Sequence, residues 1–192
     1  MRTLALAAAL LATACGPVLY AELEIPSVQV KLPSQSFPAA APLPVNQCPT
    51  PQTGCVYQTF SYDLGSQVSV LDDKNVTSQI RLTSLAVDLT AGSALADFGG
   101  IASITMSVLA PDGTALPGVT VASYHRSAAD PNPHAISVAG NSNVDLAPYL
   151  EAGKLTIASE MVVDAGTPDF TADVTSDFYL KVKIDYGKLA GL

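Results

Sequence analysis

The chain has 192 residues, 48% of them hydrophobic and only 14% charged, with 9 Lys and Arg against 17 Asp and Glu for a net charge of −8. That length and apolar share suit one domain with a substantial core, and they argue against disorder over the whole chain and against a second full-sized domain. The acidic balance, with no basic patch, argues against nucleic acid as a partner.

The first element in chain order is an export signal. Arg2 precedes Leu4 to Leu11, all Leu and Ala, and Ala12-Thr13-Ala14 leads to Cys15. One positive charge, a short apolar run and small residues before a cleavage point define a secretory signal; the run is too short to cross a bilayer as a helix. Ala12-Thr13-Ala14-Cys15 resembles the lipobox of bacterial lipoproteins, with Ala12 standing where Leu is preferred. The resemblance covers the first fifteen or sixteen residues and implies cleavage before Cys15 and acylation of that residue. Gly16, where Asp would favour retention in the inner membrane, implies sorting to the outer membrane. Ala12-x-Ala14 also satisfies an ordinary signal peptidase, which would leave Cys15 as a free thiol in a secreted or periplasmic protein.

Cysteine counting bears on that choice. Cys48 and Cys55 flank Pro-Thr-Pro-Gln-Thr-Gly, a segment able to turn back on itself, with no His or further Cys nearby to complete a metal site. A Cys48–Cys55 disulfide is expected, and Cys15 is the odd thiol, which a lipid would consume. Loss of residues 1–14 removes Arg2 and leaves 178 residues with 8 basic and 17 acidic side chains, net −9.

Next, Val18 to Leu32 reads as a strand: Leu23 and Ile25 share one phase, Val28, Val30 and Leu32 the other, with the slip near Pro26-Ser27 predicting an edge or a bulge. The residues leave open whether this strand pairs into the domain. Pro33 to Pro51 holds six prolines in nineteen residues and predicts a stiff, extended connection.

From Cys55 onward the period is two. Ile80 and Leu82 give way to Leu85, Val87 and Leu89 out of phase, predicting a bulge near Thr83-Ser84; Ile104, Met106 and Val108, then Val119 and Val121, then Ile136 and Val138 follow between turn residues. Only Val144 to Ala152 offers a helical turn. Leu155, Ile157, Met161 and Val163 keep one parity. The longest alternation is the last, with Phe170, Ala172, Val174, Phe178, Leu180, Val182, Ile184 and Tyr186 on one face and Asp173, Thr175, Asp177, Lys181, Lys183 and Asp185 on the other. One bent strand or two joined near Ser176-Asp177 would both fit. Seven to nine such strands predict an all-β, antiparallel sandwich, immunoglobulin-like in one form, with a small β-barrel as the alternative. The chain thus divides into a signal peptide at 1–14, a lipid-anchored strand and Pro-rich connection at 15–54, and a sandwich domain at 55–192.

Signals for chemistry are sparse. His125 shares strand parity with Val119, Val121 and Ser123, aiming it at a core, a groove or a sheet edge, and His134 follows the rigid loop Asp130-Pro-Asn-Pro133. No Gly-x-Ser-x-Gly or His-Glu-x-x-His occurs, and Gly99-Gly100 lacks the continuation of a phosphate loop. Asp72 to Asn75 and Asn141-Ser142-Asn143-x-Asp145 carry oxygens of the type calcium takes, but turn formation accounts for them. No cofactor is expected. The leading expectation is a non-enzymatic outer-membrane lipoprotein that binds or scaffolds an envelope protein or glycan; an envelope hydrolase with a site near His125 and a purely structural spacer are the alternatives.

Overall fold

The computed structural model describes residues 20–38, 54–68, 71, 76–110 and 115–185. Eight strands lie within them: β1 (Tyr20–Phe37), β2 (Cys55–Asp63), β3 (Val76–Leu89), β4 (Ile101–Leu109), β5 (Ala115–His125), β6 (Ala135–Ala139), β7 (Lys154–Val163) and β8 (Phe170–Asp185). One sheet has the order β1-β8-β3-β6 and the other β2-β7-β4-β5. All pairings are antiparallel. The sheets pack against each other and stay open, so the architecture is a sandwich and not the alternative barrel. Its strand order departs from the immunoglobulin arrangement, in which the first two strands are neighbours in one sheet. Here β1 and β2 lie in different sheets, and β8 separates β1 from β3.

β8 is a single strand, and its inward row Phe170, Ala172, Val174, Ser176, Phe178, Leu180 and Val182 is buried throughout. Ser176 looks like a gap in the apolar alternation, yet it is fully buried because its Oγ donates to the Tyr62 hydroxyl of the opposite sheet at 3.0 Å. The Tyr62 ring meets Phe178 edge-on at 5.2 Å. Two polar groups thus satisfy each other inside the core. Burial pushes the Tyr62 phenol up to about 12, although the Ser176 hydrogen bond acts the other way.

β1 pairs with β8 from Tyr20↔Asp185 to Phe37↔Phe170. The sandwich therefore begins at Tyr20, ahead of the boundary expected at residue 55. Pro33 to Phe37, assigned from sequence to the connection, completes this strand. Register shifts fall between Ile25 and Val28 and between Leu32 and Gln35, and each contains a Pro-Ser pair. Proline has no N–H to give to a ladder, so on an edge strand it settles at a bulge. Each slip restores the inward phase, which is how Ile25, Val28, Val30, Leu32 and Phe37 all reach the core. Phe37 then stacks on Phe170 with ring centroids 4.7 Å apart. The second bulge holds Ser34 at φ 52, and its N–H donates to Asp173 Oδ1 at 2.9 Å.

β3 carries the bulge expected near Thr83-Ser84, between Leu82 and Ser84. It lies opposite the same stretch of β8 as the first β1 bulge. Asp177 stands between the two and accepts from Ser27 Oγ at 3.2 Å, Gln29 Nε2 at 3.4 Å and Ser84 Oγ at 3.0 Å.

A further irregularity links the sheets. Met106 faces Ala122 and Ser107 faces Thr120, which leaves Val121 as the extra residue in β5. Its carbonyl accepts from Asn141 N–H at 2.7 Å, while Gly140 N–H donates to the Thr83 carbonyl at 2.9 Å. A side chain at Gly140 would overlap the Leu82 carbonyl oxygen.

Two outcomes follow from this packing. Gly140→Ala should lower unfolding free energy by about 3 kcal/mol in urea titration, since the added methyl meets backbone that cannot rotate away. Tyr62 rises from 10.0 to about 12 on folding, so the fold favours its protonated form. That contribution is complete below pH 10 and is lost as pH climbs toward 12. Tyr62→Phe should cost about 1–2 kcal/mol at pH 7 by leaving Ser176 unpartnered. It should also flatten the loss of stability between pH 10 and 12; an unchanged alkaline limb would refute the assignment.

Candidate functional site

Cys15 and Cys48 lie outside the described residues. Cys55 opens β2, half-buried and opposite Val162, after Gly54 at φ 81. His125 closes β5, an edge strand, and of the core, groove and edge directions left open the Val121 bulge excludes the core. Val121 and Ala122 are both buried, so the phase inverts and Ser123 and His125 face solvent. His134 is exposed as well. Of the two candidate cation loops, Asp72 to Asn75 falls outside the described residues. In the other, Asn141 Oδ1 accepts from Asn143 N–H at 3.1 Å, and Asp145 Oδ1 accepts from the N–H groups of Ile80 at 2.9 Å and Ala147 at 3.1 Å. Those oxygens hold backbone, and the helical turn expected nearby shrinks to a 3-10 turn at Ala147–Tyr149.

At the end of the sandwich where β4 and β8 begin, Arg126 ties three connections together. Its Nη1 donates to Asp164 Oδ2 at 2.6 Å and to the Gly99 carbonyl. Asp97 Oδ1 in turn accepts from Gly99 N–H at 2.8 Å, and Phe98 N–H reaches the Pro133 carbonyl at 2.8 Å. The bond to Asp164 raises the already high Arg126 pKa further. Gly99-Gly100 is thus part of a 3-10 turn latched by a guanidinium, with no free run of N–H groups for a phosphate.

The outer face of the β1-β8-β3-β6 sheet carries a cluster of ion pairs. Lys31 pairs with Asp173 at 3.3 Å, and Lys181 with Glu22 at 3.2 Å and Glu24 at 3.4 Å. The Ser34 N–H, with Lys31 beside it, lowers the Asp173 pKa. Lys183 stands over the exposed Tyr20 ring, 4.2 Å from its centroid. Arg81 is half-buried and, like Lys183, is without an ion pair among the described residues.

Two open grooves accompany these features. One, of about 300 Å³, is lined by Ser61, Leu109, Tyr149, Glu151 and Lys154 near the turn Glu151 to Lys154. The other, of about 250 Å³, is lined by Arg81, Leu82, Thr83, Gly140, Ser142 and Tyr179. Sequence reasoning missed this second group. Arg81 alternates with Ile80 and Leu82, so its outward direction was readable, but its placement opposite Tyr179 depends on the β3–β8 register across a bulge. No protein-family model matches the chain, and no curated protein matches it.

The different work of His125 and Asp177 gives a direct check. His125→Ala should change unfolding free energy by no more than about 0.5 kcal/mol. Asp177→Ala strips Ser27, Gln29 and Ser84 of their acceptor and should cost about 1–2 kcal/mol in the same denaturation assay.

Proposed function

We propose that the protein is a lipid-anchored lipoprotein of the outer membrane whose sandwich binds or scaffolds an envelope partner without catalysing a reaction. The observation that carries this reading is Ala12-Thr13-Ala14-Cys15 after a Leu/Ala run, five residues ahead of the first strand at Tyr20. Five residues span at most about 18 Å. An acylated Cys15 would therefore hold the Tyr20 end of the domain against the bilayer and turn the opposite end, with His125, Arg126 and His134, away from it. A Cys48–Cys55 disulfide belongs to the same proposal, since it suits an oxidising compartment.

A binding role is supported by what the polar side chains do. Asp177, Asp145, Asp164 and Arg126 are spent on holding strands and loops. Loop-borne or groove-borne recognition on a rigid sheet scaffold is the remaining use of such a surface.

Cys15→Ala tests the anchor. The variant should leave the membrane fraction and run as a soluble protein, and the mature wild-type N-terminus should carry acyl mass at Cys15 in intact-protein mass spectrometry. Membrane association unchanged by the substitution would refute lipidation at that residue.

A further inference from the structure

The ligand class is narrowed by the groove around Arg81. β6 is only five residues long and stops at Ala139, opposite Ser84, so the N-terminal half of β3 has no strand beside it on that flank. The chain then turns at Gly140, pressed against Leu82 and bonded to the Thr83 carbonyl, and departs toward β5. The space left where β6 ends is the groove of about 250 Å³. Arg81 and Tyr179 are cross-strand partners on its wall, both half-buried, with Ser142 on the other side.

Arg81 is a half-buried guanidinium in a concave site of a strongly acidic chain, and it has neither ion pair nor hydrogen bond among the described residues. Of the other described cations, Lys31, Arg126 and Lys181 are each paired with a carboxylate, Lys183 lies over the Tyr20 ring, and Lys154 is exposed, so Arg81 is the one held without an ion pair in a half-buried, concave position. A guanidinium presents a planar fork of donors that fits a carboxylate with two parallel bonds. The adjacent Tyr179 ring supplies a face for the apolar side of a sugar, and the Tyr179 and Ser142 hydroxyls are available for its hydroxyl groups. We propose that this groove binds an acidic sugar, its carboxylate on Arg81 and its ring against Tyr179. The inference rests on the envelope-binding reading and specifies its ligand as a glycan bearing uronic-acid residues. A phospholipid headgroup is disfavoured by position: Arg81 lies five residues along β3 from the Val76 end, about 17 Å from the end held near the bilayer.

The test is an NMR titration of the detergent-solubilised full chain with D-galacturonate, D-galactose and inorganic phosphate as separate probes. Galacturonate should shift resonances of residues 81–83, 140–142 and 179, with galactose binding about tenfold more weakly for want of the carboxylate. Arg81→Gln should raise the galacturonate Kd by about tenfold, and Arg81→Lys should recover only part of it because an ammonium cannot make the paired bonds. Tyr179→Leu should weaken both sugars while leaving phosphate unchanged. The proposal is overturned if galacturonate produces no shifts, if galactose binds equally well, or if Arg81→Gln binds galacturonate like wild type. Phosphate binding as tightly as galacturonate would also overturn it, showing a bare oxyanion or headgroup site. Membrane fractionation of Cys15→Ala reads the anchor independently, so failure of one idea is distinguishable from failure of the other.

Discussion

A strand that buries seven alternate residues cannot slip by one position without turning all of them to water. β8 is such a strand, and it lies between β1 and β3 in its sheet. Because β8 stays regular, mismatches of length and phase are taken up by its neighbours. Both bulge beside Phe178, and β1 bulges a second time near Val174. The same logic explains the acidic side chains on the outer face. Asp173 accepts the Ser34 N–H freed at the second β1 bulge, and Asp177 accepts the Ser27 and Ser84 hydroxyls at the two bulges beside it, so each irregularity next to β8 is met by a carboxylate of the regular strand.

That use of carboxylates changes the meaning of the net charge. Thirteen of the 17 acids are Asp, a residue suited to turns and local backbone acceptance. Asp63, Asp97 and Asp145 each accept a backbone N–H within a few residues, and Asp164 is latched by Arg126. Six of the Asp residues thus hold backbone, loops or neighbouring side chains in place. The half-buried Arg81 guanidinium stands apart from these, because it lies in a groove with no carboxylate paired to it.

Much of the architecture was legible because its signals are local. The alternation of β8, the slip at Pro26-Ser27 and the phase change at Thr83-Ser84 are read from adjacent residues, and each has its counterpart in the register. What stayed hidden depends on partners far away in the chain. Pairing of β1 with the last strand has no local signature. Val121 and Ala122 give no hint of a bulge, so parity alone could not tell whether His125 faces the core, a groove or the sheet edge. Ser176 reads as a break in an apolar row until Tyr62 is placed across from it. Arg81 and Tyr179 are unremarkable singly, and only the sheet brings them together. Cys15 and Cys48 carry their meaning in the sequence alone.

The union of β1 with β8 also sets an order of events. Ser27 and Asp177 are 150 residues apart, and their two strands are neighbours in one sheet. Contacts of such sequence separation form slowly, because the loop entropy is lost before the pairing is gained. The first strand has no partner until the last has arrived, and until then the sheet lacks its centre. Were the chain exported before it folds, as the proposed secretory signal would allow, this topology would keep the polypeptide threadable while it crosses the membrane and let the sandwich close only after nearly all of it has emerged. The prolines of β1 serve during that wait, since a strand broken twice by Pro-Ser is a poor template for pairing with a neighbouring chain.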